Sequence, residues 1–435
     1  MVSPLGSGGI SGRLLSAWDK EGRLIFEMAS RIGYGWVVVG ALWLGNILVV
    51  FTGFTLGIVL PDIRSEFNLS PVQAGMLGSA FFLGFASFSL PSSLWLSRYS
   101  PRLVVLVLMA GSSMFLFLQG WGPVFWALLL GRFLFVLLSV GRSAPEVLLI
   151  YQWFEPQRVA RVLSVNFSFL GVGQTISLAL TPFLLDMVGG WHNMYYLFGF
   201  GMVGATLVWY FLGKEHPSFV AQKEESGSLL SPLRILMERP ALWWVASCQV
   251  GASIAFASFM TFWPTFMIEV RNVSVEQAGL LFSLYPIGGI IGSFSAAFIS
   301  ERIRRRKPII WIAGLVLPIL YMVILITANS IASAAALFGA GFCAFVVIPI
   351  VMTIPFDMGL RPREVALATG LTRTFTPLGA TIGPILVGTI QQLSGSLTLG
   401  LAVVVPLPLF MAICGLIIPE TSPYRRSTEA RGATS

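Results

Sequence analysis

Asn68-Leu-Ser-Pro-Val-Gln-Ala-Gly75 and Asn272-Val-Ser-Val-Glu-Gln-Ala-Gly279 are two copies of one stretch, 204 residues apart. Outward from these copies the match holds in the same register at Leu77/Leu281, Ser79/Ser283, Gly84/Gly288, Arg98/Arg302 and Arg102/Arg306. Each copy reads as a short polar loop, then about one membrane-length of small and apolar residues, then a basic turn. A repeat of this period has to be read before anything else, because it sets the architecture. It predicts two similar halves, each opening with a helix pair joined outside and closed by a basic loop inside. A second set of matches, offset by 206, extends the repeat across whole halves: Pro156/Pro362, Val159/Val365, Ala160/Ala366, Gly173/Gly379 and Gly189/Gly395.

Hydrophobic residues make up 56% and charged residues 11% of the 435, with a mean hydropathy of +0.83. Soluble domains carry roughly a quarter charged residues, so this is not an ordinary globular protein, and with the spans below an all-α membrane protein is expected. The net charge of +8 invites a nucleic-acid reading, which the placement of the charges excludes below. Cys248, Cys343 and Cys414 fall in apolar stretches without paired spacing, and His192 and His216 lie in loops. That pattern predicts free thiols rather than a metal or redox centre. With no paired carboxylates and no phosphate-binding glycine loop, neither an enzyme nor a cofactor is expected.

Residues 1–34 are polar and basic (Arg13, Lys20, Arg23, Arg31), without the apolar core and cleavage site of a signal peptide. Leu14 to Ala29 reads either as an amphipathic helix on the membrane surface or as a plain tail. From Gly35 onward come twelve apolar segments near the ~20 residues that cross a bilayer. The first six are expected at 35–60, 72–97, 102–119, 124–151, 159–186 and 192–212. The second six are expected at 241–267, 276–299, 308–328, 331–355, 364–392 and 398–418. The domains predicted are a tail 1–34, a six-helix bundle 35–212, a linker 213–239, a bundle 240–418 and a tail 419–435. With the N-terminus inside, 22 of the 27 Lys and Arg fall in inside segments and only Arg64 and Arg271 outside. Both termini are therefore expected in the cytoplasm, and the basic excess is a topology signal. A monomer in a bacterial inner membrane is the expected setting.

Asp62, then Asn68, Ser70, Gln73, Ala74 and Gly75 leading into span 2, with the basic turn Arg98 to Arg102, resemble the major facilitator superfamily. So do Arg132 early in span 4 and Trp191 at the start of span 6, and the likeness covers about 35–418. The resemblance implies two pseudo-symmetric six-helix bundles and alternating access, with spans 1, 4, 7 and 10 lining a cavity and 2, 5, 8 and 11 flanking it. The first basic turn departs from the family pattern, since Ser93, Ser97 and Ser100 replace its Gly, Asp and second Gly. The second copy keeps the acid, as Glu301-Arg302 with Arg305 and Arg306 beyond. A finer likeness to anion:cation symporters rests on Trp153-Phe154, Pro156, Arg158, Ala160 and Gly190-Trp191. The acid that such carriers often have in the first half of span 4 is absent here.

A charge at the centre of a spanning helix costs roughly 2.5–3.5 kcal/mol on insertion, so the four that occur are the first candidates. Arg132, Arg142 and Glu146 stand in span 4 and Arg373 in span 11. Arg142 and Glu146 are about 40° and one turn apart on a helix. They either cancel as an ion pair or form a cavity-facing pair that exchanges partners. Glu146, the one acid well inside a span, is the expected proton-coupling residue. Arg132 matches the span 4 arginine of the resembled family and reads either as a coupling residue or as a brace. Arg373 has no acid near it in sequence and sits at a depth similar to Arg142. The two guanidiniums, one from each half, are expected to clamp a carboxylate or other oxyanion bidentately. Asn46, Gln249, Tyr285 and Trp43 complete the expected substrate site. Arg98, Arg102, Glu301, Arg302 and Arg305 are the expected gating residues, with the second loop dominant.

These readings converge on a secondary transporter for a small organic or inorganic anion, driven by a proton or by a counter-substrate. Its partners are then that small molecule and the lipid bilayer, and no nucleic acid. An exporter of amphipathic drugs needs only an aromatic, mostly apolar cavity and stays open. A non-transporting receptor or scaffold has no use for the buried charges.

Overall fold

The computed structural model describes residues 11–95, 99–216, 240–358 and 362–421, and among them every regular element is a helix. The first half comprises α1 (Ser11–Phe67), α2 (Pro71–Trp95), α3 (Pro101–Trp121), α4 (Phe125–Gly141), α5 (Ser143–Trp153), α6 (Pro156–Val188) and α7 (Trp191–Leu212). The second comprises α8 (Pro240–Ser247), α9 (Val250–Glu269), α10 (Val275–Ile303), α11 (Lys307–Ile326), α12 (Ser330–Asp357), α13 (Pro362–Ser394), α14 (Leu397–Val404) and α15 (Leu409–Ile417). Three spans are interrupted: the fourth is α4 with α5, the seventh α8 with α9, and the twelfth α14 with α15. Twelve spans in two bundles of six result, and the chain is a multi-pass integral membrane protein. Arg98 and most of the linker and C-terminal tail lie outside the described residues, while Leu14 to Ala29 is continuous with the first span in α1.

Eleven of the twelve spans are long and apolar enough to cross a membrane by length and composition alone. The exception, α13, is long but rich in threonine. Thr369, Thr372, Thr374, Thr376, Thr381 and Thr389 each donate to the carbonyl four residues back, so the helix satisfies its own hydroxyls. It is also flanked by protein, α2 on one side and α9 on another.

The repeated stretch is a helix stop followed by a helix start. Asn68 and Asn272 close α1 and α9 with φ of 49° and 54°, the left-handed region that Asn tolerates better than most residues. Two residues on from Asn68, Ser70 and Gln73 bond reciprocally, side chain to backbone, at 3.2 and 2.9 Å, which is a capping box. In the second copy Ser274 accepts from the Gln277 amide at 3.3 Å. The sequence repeats here because the same backbone joint is built twice.

Behind the joint, the repeated glycines set how the halves meet. An added Cβ on Gly75 would collide with the Pro384 carbonyl of α13. One on Gly279 would lie 2.7 Å from the Leu178 carbonyl of α6. Thus α2 packs on α13 and α10 on α6, a pseudo-twofold pair of interfaces. Ser79 donates to the Thr381 carbonyl at 2.6 Å, Thr265 to the Gly57 carbonyl at 3.3 Å, and Arg64 pairs with Glu269 at 3.0 Å. Among the described residues, the hydrogen bonds, ion pair and glycine contacts joining the halves all lie from mid-membrane to one face. That far face is opposite the one where the chain leaves α7 and enters α8, here called the terminal face.

Candidate functional site

Pro145 interrupts the fourth span. It has no N–H for the Gly141 carbonyl, and its ring would clash with that oxygen in a continuous helix. The helix breaks one residue later, at Arg142, whose N–H turns back to Ser139 at 3.3 Å. Glu146 thereby falls in the first turn of α5, where the unpaired backbone N–H groups favour a negative charge. A charged side chain at a mid-membrane break is a common design for intramembrane ligand sites.

Arg142 is 1% exposed and lies against the backbone of α1. Gly45 makes the room, since a Cβ there would stand 2.6 Å from the nearer guanidinium nitrogen, Nη1. Nη2 donates to Asn46 Oδ1 at 3.1 Å, Asn46 Nδ2 donates to Glu146 Oε2 at 3.0 Å, and Arg142 Nε stands 3.8 Å from Glu146 Oε1. Arg142 has only donors, so the Asn46 amide can sit only one way round. Arg142 Nε and Nη1 and Glu146 Oε1 are buried without a hydrogen-bond partner. The pair is held by charge and by one asparagine, not by a closed network.

Arg132 is bound differently. It donates to the backbone carbonyls of Leu77, Thr52 and Gly53 at 2.9, 3.2 and 3.1 Å and lies over the Phe81 ring. Of the two roles read from sequence, its contacts are those of a brace between α1, α2 and α4.

Arg373 is exposed and has no ion pair or hydrogen bond among the described residues. It lies about 20° around α13 from Pro384, whose carbonyl an added Cβ on Gly75 of α2 would meet. It therefore stands on the side of α13 turned toward the first half. Asn46 lies about 20° around α1 from Gly57, which meets the other half. Gln249 lies about 20° around the span from Phe256, whose ring meets Phe82 of the first half at 6.3 Å. Measured from the sealing contacts at Gly57, Thr261 and Thr381, Asn46, Gln249 and Arg373 sit about 16, 18 and 12 Å toward the terminal face at 1.5 Å per residue. Three of the expected substrate residues thus stand roughly 12–18 Å from the sealing contacts on helix sides turned toward the other half, with Arg142 and Glu146 behind Asn46.

Trp43 borders the same wall, stacked on Phe169 at 4.6 Å and donating to Asn166 at 2.8 Å. Tyr285 does not offer its hydroxyl to the space between the halves. That hydroxyl pairs with Tyr321 at 3.1 Å within the second half, and the ring stacks on Phe256 as part of an aromatic ceiling. A shallow recess at the far face, lined by Pro61, Arg64, Ser65, Asn68, Leu69 and Glu269, is remote from the buried arginines.

The basic turns are organised by residues not anticipated from sequence. Glu215, just after α7, accepts from Ser100 Oγ and the Arg102 amide at 2.5 and 2.9 Å, and Arg102 also donates to the Tyr210 carbonyl. Glu420, just after α15, accepts from the Arg306 and Lys307 amides at 2.9 and 3.2 Å. Each carboxylate caps the third helix of its own half. Their spacing of 205 was visible in the repeat, but both lie outside the spans. Glu301, Arg302 and Arg305 are exposed and make no ion pair among the described residues; Arg306 instead pairs with Asp357 and donates to Thr353. Arg98 lies outside the described residues.

Residues 42–384 match the family described as Major Facilitator Superfamily. A hexuronate transporter of Bacillus subtilis is 25% identical over 276 residues, which is 62% of this chain and 65% of that one. The chain thus spans slightly less than two thirds of that relative. A protein of Cupriavidus necator named as a probable sulfoacetate transporter is 21% identical over 394 residues, covering 85% and 90% of the two chains. In structure, the chain superposes on a bacterial homologue of the human lysosomal transporter Spinster, solved inward-facing and unoccupied. The TM-score is 0.72 at 17% identity, over 88% of this chain and 95% of that one.

Proposed function

The chain belongs to the major facilitator superfamily, and on that premise we propose that it is a secondary transporter carrying a small organic anion by alternating access. The observation that carries this reading is Arg373, an unpaired guanidinium on the side of α13 turned toward the first half and near the depth of Asn46 and Gln249. An unpaired cation inside a membrane is costly, and a bidentate oxyanion is the partner its planar fork fits. The anions in the relatives' names support the same class. The expected two-arginine clamp narrows accordingly: Arg373 binds first, and Arg142 joins only when Asn46 or Glu146 gives way.

The excess of basic residues puts the terminal face in the cytoplasm, so a seal at the far face corresponds to an inward-open state. A monomer in a bacterial inner membrane is part of this proposal, as is coupling to a proton on Glu146 or to a counter-substrate. Glu301, Arg302 and Arg305, without ion pairs among the described residues, are then available to pair when the terminal face closes. The aromatic ceiling of Phe82, Phe256 and Tyr285 favours drug export as the second reading.

The test is calorimetric binding to the purified protein of sugar acids, short hydroxy acids, phosphate, sulfonates and cationic drugs. Arg373→Gln and Arg373→Lys are each expected to weaken the best anion at least tenfold. Wild-type anion affinity in both variants, or binding of cationic drugs alone, would pass the lead to drug export.

A further inference from the structure

We infer, resting on the anion reading above, that the central site holds one net positive charge. At neutral pH it takes a singly charged anion, and it admits a doubly charged one only together with a proton. The inference comes from the partners of each intramembrane charge. Arg132 is enclosed by three backbone carbonyls and is out of reach of a ligand. Arg142 and Glu146 form a pair of zero net charge behind Asn46. Arg373 alone is exposed and uncompensated. Glu364, nine residues nearer the start of α13, is buried and has its own partner.

The state of Glu146 follows from its neighbours. Its Oε2 receives the Asn46 amide and its Oε1 faces the Arg142 guanidinium, so both oxygens face donors and suit an ionised carboxylate. Among the described residues Arg142 is the one charged group acting on it. Gly45 of α1 stands against the guanidinium, with the Met109 methyl of α3 beside the same glycine.

A monoanion on Arg373 brings the sum of charges in the space to zero. A dianion would leave one uncompensated negative charge where water is scarce and Coulomb energies are many times those in bulk. A proton from solvent taken up on Glu146 changes the count. It neutralises the carboxylate and releases Arg142, whose Nε and Nη1 are already without hydrogen-bond partners, as the second cation. Among the described residues Asn46 is the one side chain bonded to both members of the pair, so its movement would open the way.

The experiment uses two matched pairs, gluconate with glucarate and lactate with malate, each pair adding one carboxylate. Affinities are measured by calorimetry on the full-length protein at pH 7.5 and 5.5, where simple carboxylates stay largely ionised. For wild type at pH 7.5 the singly charged member of the better pair is expected to bind at least tenfold more tightly. The doubly charged member is expected to gain at least tenfold at pH 5.5, and equally in Glu146→Gln at pH 7.5, while the monoanion changes less than threefold. A dianion that binds wild type as tightly as its monoanion at pH 7.5, with binding still lost in Arg373→Gln, overturns the charge count and leaves the anion reading standing. No binding by any of the four, or binding indifferent to Arg373→Gln, removes both. If Glu146→Gln fails to fold, the pH comparison on wild type decides alone.

Discussion

Arg132 gives its guanidinium to three backbone carbonyls, Arg142 shares one asparagine with a glutamate, and Arg373 has no partner among the described residues. The side chain is the same, and its surroundings assign each copy a different task. Replacing Arg132 by Met removes three hydrogen bonds from a buried charged donor to the backbone of α1 and α2. Losing a buried charged donor costs about 2–4 kcal/mol, so Arg132→Met is expected to lower the melting temperature by several degrees. Anion affinity per folded molecule should stay within threefold of wild type. A tenfold loss of affinity at unchanged melting temperature would instead make Arg132 part of the binding site. The contrast with Arg142 traces to a residue on another helix: without Gly45, a Cβ would occupy the space where the guanidinium sits. Burial of Arg142 was therefore not readable from the fourth span, whereas its pairing with Glu146 was, because i and i+4 positions meet on any helix.

At the scale of the element, the joints at Asn68 and Asn272 separate what is equivalent in the two halves from what is not. Ser70 belongs to a reciprocal capping box, while Ser274 accepts one backbone bond without the return bond. A lost cap costs about 1 kcal/mol, and Gln73→Ala, which removes the return bond to the Ser70 amide, is expected to lower thermal stability more than Gln277→Ala. Equal shifts in the two melting curves would count against the reciprocal bond. The spans themselves were legible, since length and apolarity decide them, and ten of the twelve fell within a few residues of their expected bounds. The first span runs further, through Asp62, Arg64 and Glu66 to Phe67, because nothing before Asn68 stops it. The break at Arg142 was missed although Pro145 announced it, and the capping carboxylates Glu215 and Glu420 were missed because they stand beyond the last apolar residue of each half. The orientation of the Tyr285 hydroxyl depends on Tyr321, a partner that no local pattern reveals.

Taken whole, the molecule is closed at the far face by main-chain contacts and one ion pair between its halves. Arg64 and Glu269 are partly exposed, so their pair contributes about 1 kcal/mol or less, enough to shift a two-state balance up to about fivefold. Arg64→Glu is expected to raise the fraction open at the far face, and the exchange Arg64→Glu with Glu269→Arg to restore it. Spin-label distances between the ends of α1 and α9 measure this directly. A double variant that stays as open as the single one would mean that the pair does not hold the seal.

The joint at Asn68 and Asn272 was duplicated, but the charges were not. The offset of 204 that aligns the joints sets Val346 against Arg142, and the offset of 206 that aligns the fifth spans sets Phe167 against Arg373. Two identical walls would receive a molecule equally well from either end. On the proposed anion reading the second half presents the Arg373 guanidinium and the first the Asn46 amide, so a molecule with a charged head and a neutral tail would be read in one direction only. Chirality and chain length are then judged from a fixed anchor, and the asymmetry of the duplicate becomes the ruler by which cargo is measured.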